Sequence, residues 1–138
     1  MYTKKALTLT SDSGTVAVSS SWNEGQRQRW ELKPVVLPPV YRIANVSTGW
    51  YLHYTTANGS AAIVDRLSSV NNSRSQLWTL ETVPNSNAYV IRSLENDNIV
   101  LDLSGSSSVD GTPVLTYSYH GGQNQQWRIE EGSPDDKR

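Results

Sequence analysis

Few side chains in this chain could carry chemistry. Two histidines, His53 and His120, lie well apart, and cysteine is absent. No Gly-x-Ser-x-Gly elbow, phosphate-binding loop or cluster at metal-ligand spacing accompanies them. No nucleophile with a motif of its own stands in the sequence. The chain is therefore expected not to be an enzyme and to need no metal or cofactor. A richer set of polar and aromatic residues sits toward the end. Leu101-Asp102-Leu103 is followed by the run Tyr117-Ser118-Tyr119-His120-Gly121-Gly122-Gln123-Asn124-Gln125. Taken singly, each has a bland explanation. Asp102 reads as a solvated strand-end carboxylate and His120 as a surface-loop histidine. Tyr117 reads as packing and Asn124 as a turn former. Joint action depends on the elements that carry them.

Those elements repeat. Gln28-Arg29-Trp30, Gln76-Leu77-Trp78 and Gln125-Gln126-Trp127 place their tryptophans 48 and 49 positions apart. Two residues after each Trp stands an apolar side chain: Leu32, Leu80 and Ile129. Tyr41-Arg42-Ile43 and Tyr89-Val90-Ile91 are again 48 apart. Within a unit the pattern predicts strands at Tyr41–Asn45, Tyr51–Tyr54, Ala61–Arg66 and Trp78–Glu81, separated by turns rich in Gly, Ser, Asn and Asp. No stretch keeps a 3.6-residue apolar period, so helices should be nearly absent. One such unit cannot bury its apolar face alone, whereas three can close a shared core. Trp30, Trp78 and Trp127 are accordingly expected to be equivalent core residues, and Trp22 and Trp50 to matter less.

Bulk properties agree with a small all-β protein. The 138 residues suffice for one domain, with 12 Lys plus Arg against 13 Asp plus Glu. That balance argues against a nucleic-acid partner. No stretch approaches the roughly 20 apolar residues of a membrane span. Absent cysteine and the lack of an apolar leader after Met1 point to a cytoplasmic product, released if at all without a signal peptide. A single domain is expected over residues 1–132, with repeats of about 1–36, 37–84 and 85–132, and a flexible polar tail over 133–138.

Three Gln-x-Trp tripeptides at this spacing resemble the ricin B-chain type of lectin, and the missing cysteines and leader resemble its leaderless fungal members. The resemblance covers nearly the whole chain and implies a β-trefoil. It also implies a shallow sugar pocket in the third repeat, with Asp102 beside His120. Tyr117 would stack on the C–H face of a sugar ring. Asp102 would accept from two hydroxyls, and Asn124 would both donate and accept. His120, or the backbone near it, would bond a further hydroxyl. Gln125 would steady Asp102, and Gly121 and Gly122 would let the chain approach the ligand, with Tyr119 at the periphery.

The other repeats keep the scaffold and lose this set. Thr8, Ser20 and Arg27 stand in the first, and His53, Ser68 and Ser75 in the second. Trp22 matches Tyr119. The first repeat also lacks an opening strand, since counting back 48 from Tyr41 falls before Met1. Pro34, Pro38 and Pro39, in the link to the second repeat, cannot pair as a central strand. Either the opening strand is truncated from this sequence, or the trefoil is expected to be closed by the tail or a second chain, as a homodimer or a complex with another subunit. The implied function is a lectin for galactose or N-acetylgalactosamine glycans. Two alternatives stand beside it: a module for xylose or arabinose polysaccharides, and a trefoil interaction protein such as a protease inhibitor.

Overall fold

A computed structural model describes residues 5–10, 16–21, 25–35, 40–54, 59–66, 74–106 and 109–129. These form twelve strands and four short 3₁₀ turns, with no α-helix among the described residues. The first repeat supplies β1 (Lys5–Leu9), β2 (Ala17–Ser21) and β3 (Trp30–Pro34). The second supplies β4 (Val40–Asn45), β5 (Tyr51–His53), β6 (Ser60–Ala61), β7 (Ile63–Asp65) and β8 (Trp78–Thr82). The third supplies β9 (Ala88–Ser93), β10 (Ile99–Leu103), β11 (Thr112–Ser118) and β12 (Trp127–Arg128). The strands read in the second repeat are thus present with ends shifted by at most one residue, and the third of them is divided at Ala62.

Two layers build a β-trefoil. The wall runs β3–β4–β8–β9–β12, all antiparallel. The cap is three hairpins, β1–β2, β5–β7 and β10–β11, which meet pairwise. β11 pairs with β2 and with β6, and a bridge between Val16 and Ile63 closes the triangle. Leu9, Leu52, Val64, Leu101 and Val114 fill the shared core beneath it. A Gln-x-Trp segment positions each repeat in the same way. The Gln ends a 3₁₀ turn with its side chain buried. The Trp then opens the wall strand and donates its indole N–H to a cap carbonyl. Trp30 reaches Leu7 O at 3.0 Å, Trp78 reaches Leu52 O at 3.0 Å, and Trp127 reaches Leu101 O at 3.1 Å.

The geometry is equivalent, but the burial is not. Trp78 is 0% exposed, while Trp30 and Trp127 are half-buried. β8 has β4 on one flank and β9 on the other. Among the described residues β3 pairs with β4 alone and β12 with β9 alone. A wall strand matching β4 and β9 is therefore not found in the first repeat among them. Pro34 takes the last position of β3, opposite Tyr41, where an edge strand tolerates a residue without an N–H. Trp22, Pro38, Pro39, Ser68 and the tail lie outside the described residues.

Candidate functional site

β10 reads Ile-Val-Leu-Asp-Leu, apolar on both faces because both are covered. Ile99 and Leu101 enter the core. Val100 and Asp102 leave from the opposite face, directly across from Tyr117 and Leu115 on β11. Directly paired residues share a face of the sheet. That register puts the carboxylate of Asp102 and the ring of Tyr117 on one side of the third cap hairpin.

Asp102 is only 4% exposed, so it does not lie open on the surface as a strand-end carboxylate would. Gln125 Nε2 donates to its Oδ2 at 2.8 Å, and Asn124 Nδ2 donates to its Oδ1 at 3.1 Å. His120 Nε2 sits 3.6 Å from Oδ2. Buried carboxylates persist where each oxygen has such a partner. Asn124 Nδ2 also donates to Leu103 O, so its own Oδ1 is the end left to accept.

Gln125 is fully buried with both ends of its amide committed. Nε2 also donates to Ser118 O, and Oε1 accepts from the backbone N–H of His120 and Gly121. It orders the site from beneath and offers nothing to a ligand. Gly122 N–H donates to His120 Nδ1 at 3.0 Å. The backbone N–H groups of His120, Gly121 and Gly122 are therefore spent internally and are not free to donate to a hydroxyl. The side chain of His120 remains, with Nδ1 accepting and Nε2 carrying the hydrogen. The paired glycines serve the loop itself. Gly121 has φ +81°, and a Cβ on Gly122 would lie 2.6 Å from His120 Cε1 and 2.8 Å from Asn124 Oδ1.

Three exposed rings follow one another along the end of β11 and the loop after it. Tyr117 is 39% exposed, Tyr119 45% and the His120 side chain 48%. Tyr117 and His120 meet edge to face, with centroids 6.4 Å apart. Two contacts were not legible from the motif. Gly59 of the second repeat, at φ +82°, lies against the Tyr117 ring, 3.7 Å from where its Cβ would be. Arg92 lies 4.7 Å over the ring of Tyr119 and pairs two-pronged with Glu81 at 2.8 and 2.9 Å. The Glu81 hydrogen bonds raise the Arg92 pKa above its ordinary value, with partial burial opposing. Long-range pairs of this kind carry no sequence spacing by which to find them.

The other two repeats have the turn without the site. In the first, Gln28 Nε2 donates to Thr8 Oγ1 at 3.1 Å and to Ser21 O at 2.8 Å, the same two directions taken by Gln125. Arg27, at the place of Asn124, donates to Thr10 O at 2.7 Å. In the second, His53 stands where Asp102 stands, and its buried Nδ1 has no hydrogen-bond partner among the described residues. Among those residues no group of three His, Asp or Glu is placed to hold a metal.

Comparison with known proteins matches this geometry to a family. The model described as ricin-type beta-trefoil lectin domain-like matches residues 26–117 and 74–137. The main hemagglutinin component type C of Clostridium botulinum C phage is 30% identical over 115 residues, 83% of this chain and 39% of that protein. This chain thus spans about two fifths of that relative's length. The designed threefold-symmetric protein ThreeFoil superposes with a TM-score of 0.80 at 28% identity, covering 90% of this chain and 89% of that one. A Macrolepiota procera ricin B-like lectin shares the fold at a TM-score of 0.74 and 23% identity, over 90% and 85% of the two chains. Matched over most of its length, the chain belongs to the ricin-type β-trefoil lectin domain-like family.

Proposed function

We propose that the chain is a non-enzymatic lectin that holds one galactose or N-acetylgalactosamine residue on its third repeat. A single observation carries this reading: a covered Asp102 carboxylate, fixed by Gln125 and Asn124, lies beneath the exposed rim of Tyr117 and His120. Tyr117 stacks on the C–H face of the sugar, with its orientation limited by Gly59 behind it. The remaining lone pairs of Asp102 accept from adjacent hydroxyls, Asn124 Oδ1 accepts a third, and His120 Nε2 donates. Charge-assisted bonds of this type are the stronger ones. Family membership supports carbohydrate binding, and the relative at 30% identity is named a hemagglutinin component.

A glycan array on the pure protein tests the reading. Signal on glycans ending in galactose or N-acetylgalactosamine is expected. Signal confined to xylose or arabinose polysaccharides would replace the ligand class. A blank array would favour an interaction protein instead. One site per chain cannot cross-link cells, so agglutination would need a second chain. The edges of β3 and β12, each paired on one side among the described residues, are the proposed meeting place. Light scattering that shows a strict monomer in a sample that agglutinates would defeat that part.

A further inference from the structure

Tyr119 is a large aromatic side chain left 45% exposed, with no place in the core cluster. Its backbone N–H donates to Asn98 O at 2.8 Å, carrying the β10–β11 ladder one step past the Ile99–Ser118 pair. Residues two apart on a strand leave from the same face, about 7 Å apart. Tyr119 therefore follows Tyr117 along one surface, at a separation comparable to one pyranose unit. Arg92 covers one face of its ring and is itself locked by Glu81 and by the carbonyl of Asp97. The hydroxyl end lies beside Gly121, and the hydroxyl makes no hydrogen bond among the described residues. A ring clamped on one side, open on the other and tipped with an unused hydroxyl is prepared for a flat ligand at small ordering cost.

Resting on the glycan reading above, we propose that Tyr119, backed by Arg92, is a second stacking platform that holds the next sugar of an oligosaccharide whose end residue lies over Tyr117. The site then reads two consecutive units of a neutral glycan, and Tyr119 distinguishes chain length and linkage where Asp102 selects the terminal residue.

Titration calorimetry with galactose and with lactose tests this on wild type, Tyr119→Ala, Tyr119→Phe and Asp102→Thr. Wild type is expected to bind lactose about 3- to 10-fold more tightly than galactose, the gain of one added aromatic contact. Tyr119→Ala should bring the lactose-to-galactose affinity ratio down to about one, while Tyr119→Phe retains most of the gain. Equal affinities for the two sugars in wild type, or a lactose gain that survives Tyr119→Ala, would overturn the proposal. Failure of the underlying reading looks different: wild type would bind neither sugar, or Asp102→Thr would bind both as wild type does, and either result overturns the proposal as well.

Discussion

Asp102→Thr is expected to abolish binding of galactose-type glycans while the fold survives. The choice of threonine comes from the molecule itself. Thr8 occupies the matching place in the first repeat, where its hydroxyl accepts from Gln28 Nε2 at 3.1 Å and donates to Ala6 O at 2.9 Å. A threonine at 102 would give Gln125 the same acceptor, on a β-branched side chain suited to a strand. Asn124 would keep Leu103 O. The ligand, however, would lose its carboxylate, and hydrogen bonds to charged groups contribute roughly 1.5–3 kcal/mol. That is a 10- to 100-fold or larger loss, enough to take a weak single-sugar site below detection. Alanine is the poorer probe. Asp102 is buried, and removing both its oxygens leaves donors on Gln125 and Asn124 short of partners, at about 1–3 kcal/mol of stability. Calorimetry beside a thermal melt separates the two effects. Wild-type affinity in a folded Asp102→Thr protein would show that the site lies elsewhere.

Trp78→Ala should be the most damaging of the tryptophan exchanges. The side chain is wholly buried between β4 and β9 and satisfies its indole N–H on Leu52 O. Truncation of buried aromatics costs about 3–5 kcal/mol, and at roughly 3 °C per kcal/mol the midpoint should fall on the order of 10 °C. Trp30→Ala and Trp127→Ala remove the same hydrogen bond from half-buried rings and should cost less. Trp50→Ala, at a partly buried ring under Arg66, belongs with these lesser effects. The expectation of three interchangeable tryptophans is thereby refined to a ranking. Equal melting points for Trp50→Ala and Trp78→Ala would refute it.

Much of the fold was legible because one rigid unit recurs. Gln-x-Trp marks a buried amide, a 3₁₀ turn and an indole bond to a cap carbonyl, and its spacing carries those three links into every repeat. The strand read at Tyr41–Asn45 from aromatic and β-branched residues bounded by turn formers spans Val40–Asn45 in the structure. The proposed members of the site were read through the same motif. Their full set of partners was not. The sequence has Gln125 steadying Asp102, and the coordinates add that the rest of its amide goes to Ser118 O and two backbone N–H groups. Gly122 is required by the closeness of His120 and Asn124, and not by an unusual dihedral. The supports of Tyr117 and Tyr119 come from Gly59 and Arg92, remote in sequence, and no local period announces such pairs.

The one-sided pairing of β3 and β12 among the described residues also gives the molecule an order of opening. A closed ring of strands has no first place to tear, since every ladder is braced by the next. Among the described residues two ladders of the wall end at a margin with no further strand beside it, and they can open without disturbing β8 or β9. Subglobal opening starts where few buried apolar contacts stand behind the backbone bonds. Deuterium should therefore enter β3 and β12 early and the β8–β9 hairpin last. The third repeat spans both regimes: its β9 belongs to the slow core, its β12 to the margin. The loop of His120 to Gln125 hangs directly from that margin, so whatever stiffens the margin also quiets the loop.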